Sequence, residues 1–399
     1  MTPERAVIVG ASHAGAQLAA NLRREGWSGE VVLIGDEGGL PYHRPPLSKG
    51  YLAGKNGLDD LLIRGADFYE KQHIRLLNAT VDAIHRSAKR VSLSTGDTLT
   101  YTKLALCTGA RARRLPTPGV DLPGIHYLRT AADVELIRAA ATPGRRVVIV
   151  GGGYIGLETA ASLCSLGMNV TVLEATERVL ERVTAPEVSA FYTRIHNGEG
   201  VEIRTHALVE AFFGNGGVQE VVLADGEPIP ADLVIVGVGV VPNTELASAA
   251  GLSVDNGIVI DDQARTSDPD IVAAGDCTSH TMARYGSRIR LESVSSAGEQ
   301  AKIAAATICG KHSAIAALPW FWSDQYDLKL QIAGLNAGYD EVLLSGDPSR
   351  ERDFSCFYFR EGELIAADCV NRPRDFMSSK RAISQQLRVD RSELLAGSI

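Results

Sequence analysis

The chain has no C-x-x-C or C-x-x-x-x-C pair; its six cysteines (Cys107, Cys164, Cys277, Cys309, Cys356 and Cys369) are scattered. That excludes a redox dithiol, offers no zinc-site spacing, and fits a reducing compartment. No metal is expected. No apolar run approaches the ~18 residues of a membrane span. The start passes from Arg5 straight into a strand and a glycine turn, unlike a secretory leader, so a cytoplasmic protein without a membrane partner is expected. Basic charge is not in excess: the formal net charge is −8, which argues against nucleic acid as the main partner. Aromatics make up only 6% of residues, yet two of the three tryptophans, Trp320 and Trp322, stand close together. Core packing explains such a pair, and so does a cofactor wall built from one of them.

Glycine is abundant. Forty glycines and 45% hydrophobic residues fit an α/β protein rich in tight strand–helix turns, and 399 residues suffice for two or three domains. The organising stretch is 146–174. A short apolar run, 147–150, reads as a buried strand. Gly151, Gly153 and Gly156 follow in the spacing G-x-G-x-x-G, and a helix begins at Tyr154 and Ile155 and runs to about 166. A second strand, 170–173, ends on Glu174. Gly151 permits the turn, Gly153 lets a pyrophosphate approach the backbone, and Gly156 lets helix and strand pack closely, while the helix N-terminus offers its free N–H groups to the phosphate. Glu174 is placed for the hydroxyls of an adenosine ribose and repels a 2′-phosphate, which favours NADH over NADPH. Arg178 and Arg182, close behind, oppose that preference.

The N-terminal segment repeats the pattern: a strand at 6–9, the turn Gly10-Ala-Ser-His-Ala-Gly15, a helix at 13–25, and a strand at 31–34 ending near Asp36 and Glu37. Ser12 occupies the middle glycine position. A hydrolase nucleophile elbow, G-x-S-x-G, is broken by Ala14, and no Asp and His partners can be assigned. One chain with two dinucleotide fingerprints ordinarily passes electrons between a resident flavin and a nicotinamide that comes and goes.

Between the two units, the stretch 41–49 carries prolines that stiffen a loop offering Arg44 and Lys49, although a solvated basic loop reads equally well. The stretch to about 80 mixes loop and helix. Alternating runs over 81–106 predict short strands with a turn at Gly96-Asp97, leading to Thr108-Gly109. Pro116, Pro118 and Pro123 mark a crossing, and 130–141 reads as a helix. Beyond Glu174 come a helix at 186–196, strands near Val201 and Val218, and a strand at 233–236 that runs into Gly237. After a second crossing, 270–276 is a strand ending in Gly275-Asp276. A helix opening at 291–294, capped by Ser293, runs to about 309, and its positive end suits a reduced, anionic flavin. From 318 onward, alternating runs at 329–333, 341–344, 354–359 and 364–370 predict an antiparallel sheet, with helices near 375–387 and 391–396.

Taken in order, Gly10–Gly15, the stretch LPYHRPPLS at 40–48 with Lys49, and 151–158, 273–276, 291–294 and 319–324 give the chain its resemblance. It resembles the FAD-dependent NADH:ferredoxin reductases that serve aromatic-ring dioxygenases and bacterial haem-thiolate monooxygenases, with apoptosis-inducing factor as a more distant look-alike. The resemblance implies an α/β protein of glutathione-reductase-like architecture: two Rossmann-like dinucleotide-binding domains plus a C-terminal α+β domain. An FAD domain would comprise 1–113 and 244–318, an NADH domain 114–243, and the C-terminal domain 319–399.

The resemblance also implies roles. Gly10, Ser12, His13, Ala14 and Gly15 would lie on the FAD pyrophosphate, and Asp36, with Glu37 beside it, on its ribose. Val81 and Arg129 would hold the adenine and phosphate side. Lys49 would sit beside the isoalloxazine, with Arg44 and Pro45 from the same loop, and would pair with Glu158. Thr108 and Gly109, Gly275 and Asp276, and Ser293 and Val294 would complete the FAD site. Gly237 and Arg182 would join the NADH side, and Trp322 would stand where the electron partner docks. That partner would be a 2Fe–2S ferredoxin, with a Rieske-type protein or a rubredoxin as alternatives. Ferredoxins of this kind are generally acidic, so docking on a chain of charge −8 needs a local basic patch; candidates are Arg290, Lys302, Lys329, Arg372, Arg374, Lys380 and Arg381. Related single-cysteine oxidases carry cysteine where this chain has Lys49, which removes their sulfenic-acid chemistry. An O₂-reducing NADH oxidase and a redox-dependent binding protein are the competing expectations.

Overall fold

The computed structural model describes residues 4–395. The chain forms two compact units, one of Met1–His43, Asp59–Arg111 and Val241–Pro319, the other of Arg44–Leu58, Ala112–Val240 and Trp320–Ile399.

The first unit is built on a five-stranded parallel sheet in the order Ile271–Ala273, Lys103–Leu106, Arg5–Val9, Glu30–Gly35, Ile74–Asn78. Val7, Ile8, Val32, Leu33 and Leu104 are wholly buried, the near-continuous apolar run expected of strands covered on both faces. Helix His13–Glu25 packs on helix Val294–Ile308. It ends at Gly26, whose left-handed backbone (φ 96°) lets its N–H return to Arg23 and Leu22. A three-stranded antiparallel meander, Val81–His85, Arg90–Leu93 and Thr98–Thr100, is inserted in the chain just before strand Lys103–Leu106.

The second unit repeats this plan. Its parallel sheet runs Glu202–Arg204, Asn169–Leu173, Arg146–Val150, Leu233–Val236, Ile125–Tyr127. Its own meander, Val209–Phe213, Glu220–Leu223 and Pro228–Pro230, stands at the corresponding place. The same unit holds a five-stranded antiparallel sheet, Trp320–Gln325, Leu328–Gly334, Glu363–Val370, Phe354–Arg360, Glu341–Ser345, followed by helix Pro373–Gln385.

Several strands escape the sequence pattern, and three of them show why. Ile74–Asn78 is an edge strand with a single buried residue, and Ile125–Tyr127 is only three residues long. Trp320–Gln325 shows no clean alternation, because only Ser323 and Gln325 are buried there, and both are polar. In each case pairing with a neighbour makes the strand, not its own periodicity.

Candidate active site

Each unit carries one strand–turn–helix, and the two turns are built alike. Gly10 sits at φ 110°, where an added Cβ would lie 2.0 Å from the Cys107 carbonyl oxygen; Gly151 sits at φ 112°, where it would lie 2.4 Å from that of Gly237. Gly10 donates to Ile34 and Gly151 to Leu173, each at 2.8 Å, so both turns are pinned to the neighbouring strand. A Cβ on Gly15 or Gly156 would come within 1.9 or 2.1 Å of the carbonyl of its own turn's first glycine. The middle position differs without consequence: Ser12 has extended backbone (φ −125°), which any residue adopts. Neither helix has an acidic residue in its first turn, so no carboxylate there opposes an anion at the positive end of the dipole. Space beside Gly153 is open, which lets a phosphate reach the backbone.

In the first unit, His13 at the helix start lies 2.9 Å (Nε2 to Nδ1) from His43. Burial, and then the Arg64 charge, keep His43 below the ordinary imidazole range. Asp36 and Glu37 follow the second strand, both exposed, and Tyr42 donates to Glu37. Val81 opens the meander. Thr108 and Gly109 are locked to Asn243, whose side chain donates to the Thr108 carbonyl at 2.8 Å and whose carbonyl accepts from Thr108 Oγ1 at 2.6 Å. Gly275 (φ 91°) turns the chain after the Ile271–Ala273 strand, its N–H held by buried Gln300 at 2.7 Å, and Asp276 follows, half-buried. Ser293 caps the helix that begins at Val294 by accepting from the Ser296 N–H.

In the second unit, Glu174 accepts from Gly152 N–H at 2.8 Å and from the backbone and hydroxyl of Thr176 at 2.9 Å each. This fixes the carboxylate at the strand end and leaves room for another donor. Arg178 is committed internally to Thr184, Ser189 and Glu181, so of the two arginines only exposed Arg182 offers its charge outward. Arg44 donates to the Arg129 carbonyl at 2.8 Å. Ile155 is 44% exposed beside the turn, unusual for an isoleucine.

A buried carboxylate dominates the same unit. Glu158, one turn into the Tyr154–Ser165 helix, is 1% exposed. Lys49 Nζ lies 2.7 Å from its Oε2, so the expected Lys49–Glu158 pair is formed. Ser48 donates to that oxygen at 2.5 Å, and Ser323 to Oε1 at 2.6 Å. Pro45 and Pro46 start a short 3₁₀ turn, Pro45–Ser48, that delivers Ser48 and Lys49; Lys49 also donates to the Pro45 carbonyl, and Ser162 donates to that of Ser48 at 2.7 Å. Sequence reasoning named Lys49 and Glu158 but missed Ser48 and Ser323, although both lie within or beside the quoted motifs.

Trp322 stands on the Trp320–Gln325 strand and stacks on Trp320, ring centroids 5.5 Å apart. Lys380 lies 4.7 Å over Trp320. On the same helix Arg374, Met377 and Arg381 are exposed at helical spacing, and Lys329 is exposed on the Leu328–Gly334 strand, opposite Asp324. Arg372 is neutralised by Asp353 at 2.8 Å, and Arg290, in the other unit, by Glu292 at 2.5 Å. Lys302 is exposed on the first unit. All six cysteines are free thiols, and burial raises every one of them above the ordinary thiol range, so none is an activated thiolate.

Comparison with known proteins agrees with this geometry. The family described as pyridine nucleotide-disulphide oxidoreductase matches residues 4–301, and the one described as reductase C-terminal matches 320–398. Putidaredoxin reductase of Pseudomonas putida is 47% identical over 394 residues, 97% of this chain and 93% of the relative. A ferredoxin–NAD(P)(+) reductase of Sphingomonas sp is 45% identical over 389 residues, 96% of this chain and 94% of the relative. The reductase in a crystal structure of the covalent putidaredoxin reductase–putidaredoxin complex superposes with a TM-score of 0.95, at 45% identity, covering 99% of each chain. The family contains FAD and uses NAD(P)H, and the two turns fit one dinucleotide each. The chain belongs to the pyridine nucleotide-disulphide oxidoreductase family, among the members that carry a reductase C-terminal domain.

Proposed function

We propose that the chain is an NADH-dependent ferredoxin reductase that supplies electrons to a mono- or dioxygenase. The observation that carries this is the duplicated pyrophosphate turn, one in each unit, in a chain without a usable thiol pair. The relatives named above are reductases of putidaredoxin and of ferredoxin. By function we divide the chain into an FAD domain (1–113 and 244–318), an NADH domain (114–243) and a C-terminal domain (319–399).

When bound, FAD and NADH would supply the redox chemistry, hydride transfer between the cofactors and one-electron transfer to an iron–sulfur protein. The chain's part is positioning and charge. The two helix N-termini hold pyrophosphates, with Gly10, Ser12, His13, Ala14 and Gly15 serving FAD and Gly151, Gly153, Tyr154, Ile155 and Gly156 serving NADH. Asp36 serves the FAD ribose. Glu174 accepts ribose hydroxyls and disfavours a 2′-phosphate, a preference helped by Arg178 being spent within the protein. Lys49, fixed by Glu158 and the Pro45 carbonyl, presents one ammonium charge in a defined place for the redox step. Trp322 and the basic helix face of Arg374, Lys380 and Arg381 form the docking side for an acidic 2Fe–2S ferredoxin. The free thiols support a cytoplasmic setting.

Anaerobic stopped-flow absorbance of the purified yellow protein tests the reading. NADH is expected to bleach the flavin faster than NADPH does, and a 2Fe–2S ferredoxin to restore the colour within a turnover. Bleaching that persists with every ferredoxin offered but vanishes in air makes the chain an oxidase instead, and a colourless protein removes the reading altogether.

A further inference from the structure

A buried hydrogen-bonded chain leads away from Glu158, and no cofactor role uses it. Ser323 donates to Glu158 Oε1 at 2.6 Å; Gln325 Nε2 donates to Ser323 Oγ at 3.1 Å; Gln325 Oε1 lies 2.8 Å from His196 Nε2; and Tyr326 OH lies 3.1 Å from His196 Nδ1. Ser323, Gln325 and His196 are 0%, 1% and 0% exposed. They come from two elements, strand Trp320–Gln325 and helix Pro186–Gly198, within the second unit.

The direction of the chain follows from what each group can do. A carboxamide has one accepting end and one donating end. With its nitrogen on Ser323, the oxygen of Gln325 faces His196, so His196 donates from Nε2 and accepts from Tyr326 at Nδ1. That is the neutral Nε2–H tautomer. Ser323, already accepting from Gln325, turns its own proton to Glu158. Every donor therefore points at the carboxylate. Reversing the amide would aim the Ser323 proton at Gln325 and leave buried Glu158 Oε1 without its Ser323 donor, a costly loss.

Tyr326 supplies an independent observation. It occupies the tight turn between the first two strands of the antiparallel sheet at φ 56°, where glycine or asparagine ordinarily sits. A bulky residue is kept in that conformation with its hydroxyl on His196, and the two rings meet edge-on at 5.1 Å. The other charged or titratable groups at this end are Glu199, which tends to raise His196, and Cys164 and Arg352, which bear on Tyr326. Burial outweighs the first and holds His196 below the usual imidazole range.

We infer that His196 is a positioning residue for the redox site: through Gln325 and Ser323 it orients the donors that hold Glu158, and through Glu158 it holds Lys49. This rests on the proposed role of the Lys49–Glu158 pair.

The test uses full-length, FAD-loaded protein and two readouts. In ¹⁵N-histidine NMR, His196 is expected as the neutral Nε2–H tautomer throughout the working pH range; an Nδ1–H tautomer overturns the inference. In stopped flow, His196→Leu and Gln325→Glu are each expected to slow NADH-driven bleaching about tenfold, with NADH affinity unchanged and the pH–rate profile displaced. Gln325→Glu acts because a carboxylate there can only accept and so pulls the Ser323 proton away from Glu158. His196→Gln, which returns an N–H near the Nε2 position, is expected to restore most of the rate. Variants that keep the wild-type rate and pH profile sink the idea, as do losses that merely follow flavin content or melting temperature. If NADH fails to bleach the wild-type protein, the proposed function falls, and the tautomer alone decides the orientation of the chain.

Discussion

At the scale of single residues, two buried acids of the second unit are met by different partners. Glu158 is met by a lysine and two hydroxyls. Lys49→Met leaves that charge buried and uncompensated, and is expected to cost about 3 kcal/mol in denaturant unfolding, whereas the double variant with Glu158→Gln recovers most of the loss. A double-mutant cycle that shows simple additivity would mean the two side chains are not coupled. Among the described residues, Asp368 forms no ion pair. It accepts from Tyr358 at 2.5 Å, and Tyr358 in turn accepts from the Ala185 N–H at 3.0 Å. Burial pushes Asp368 up to about 7, only partly opposed by the Tyr358 hydrogen bond. The folded chain therefore holds a proton that the unfolded chain has released, and stability falls as pH rises from about 4 to about 7, flattening above. Asp368→Asn keeps an acceptor for Tyr358 and removes the titration. It is expected to be more stable than wild type by about 2–4 kcal/mol above pH 7, with the difference vanishing below pH 4. Melting curves across pH check this.

At the scale of elements, the two strand–turn–helix units are held by the same contacts, and the proposed function assigns them different ligands. Gly15→Ala is expected to yield protein that loses FAD on gel filtration. Gly156→Ala is expected to keep FAD yet raise the NADH KM at least tenfold, because each added Cβ meets the carbonyl of its own turn. Flavin absorbance per chain and NADH kinetics separate the two; both variants losing flavin alike would break the assignment of one dinucleotide to each turn. Strand order also has an electrostatic anchor. Arg146 opens its strand with its guanidinium on Asp232, just before the neighbouring strand, at 2.6 Å, and the Arg146 hydrogen bonds pull Asp232 down to about 2. This contribution is complete above the ordinary aspartate range and is lost as pH falls through about 2. Because both side chains are partly in water, Asp232→Asn is expected to cost only about 1 kcal/mol at neutral pH, with the gap to wild type closing in acid.

At the scale of the whole molecule, charge is the question. A net charge of −8 repels an acidic ferredoxin in general, so encounter depends on a local field. Of the seven basic candidates, Arg372 and Arg290 are spent on neighbouring acids. Arg374 and Arg381 share one exposed helix face with Met377, and Lys380 is drawn over Trp320. Arg374→Glu with Arg381→Glu is expected to raise the ferredoxin KM about tenfold at low salt and to flatten its salt dependence, leaving NADH–ferricyanide turnover intact. Equal losses in both assays would sink the patch.

The local physics of the chain was readable from its residues alone. Glycine spacing announced both turns, because a Cβ at Gly10 or Gly151 has nowhere to go, and helix His13–Glu25 was read at 13–25. The family motifs brought Lys49 and Glu158 together although 110 residues of sequence separate Glu158 from Ser48. What the linear order concealed was decided by packing. The Trp320–Gln325 strand has no pattern of its own and exists through its partner Leu328–Gly334. Arg178 looked free to greet a phosphate until the fold spent its donors on Thr184, Ser189 and Glu181. His196 gave no signal at all, since a histidine inside an amphipathic helix is ordinary; only the tertiary structure sets Gln325 before it and so gives a direction to the hydrogen bonds that end on Glu158. Turns and helices depend on neighbours a few residues away, which a sequence displays. Buried polar partners depend on which distant surfaces exclude water together, which only the folded chain determines.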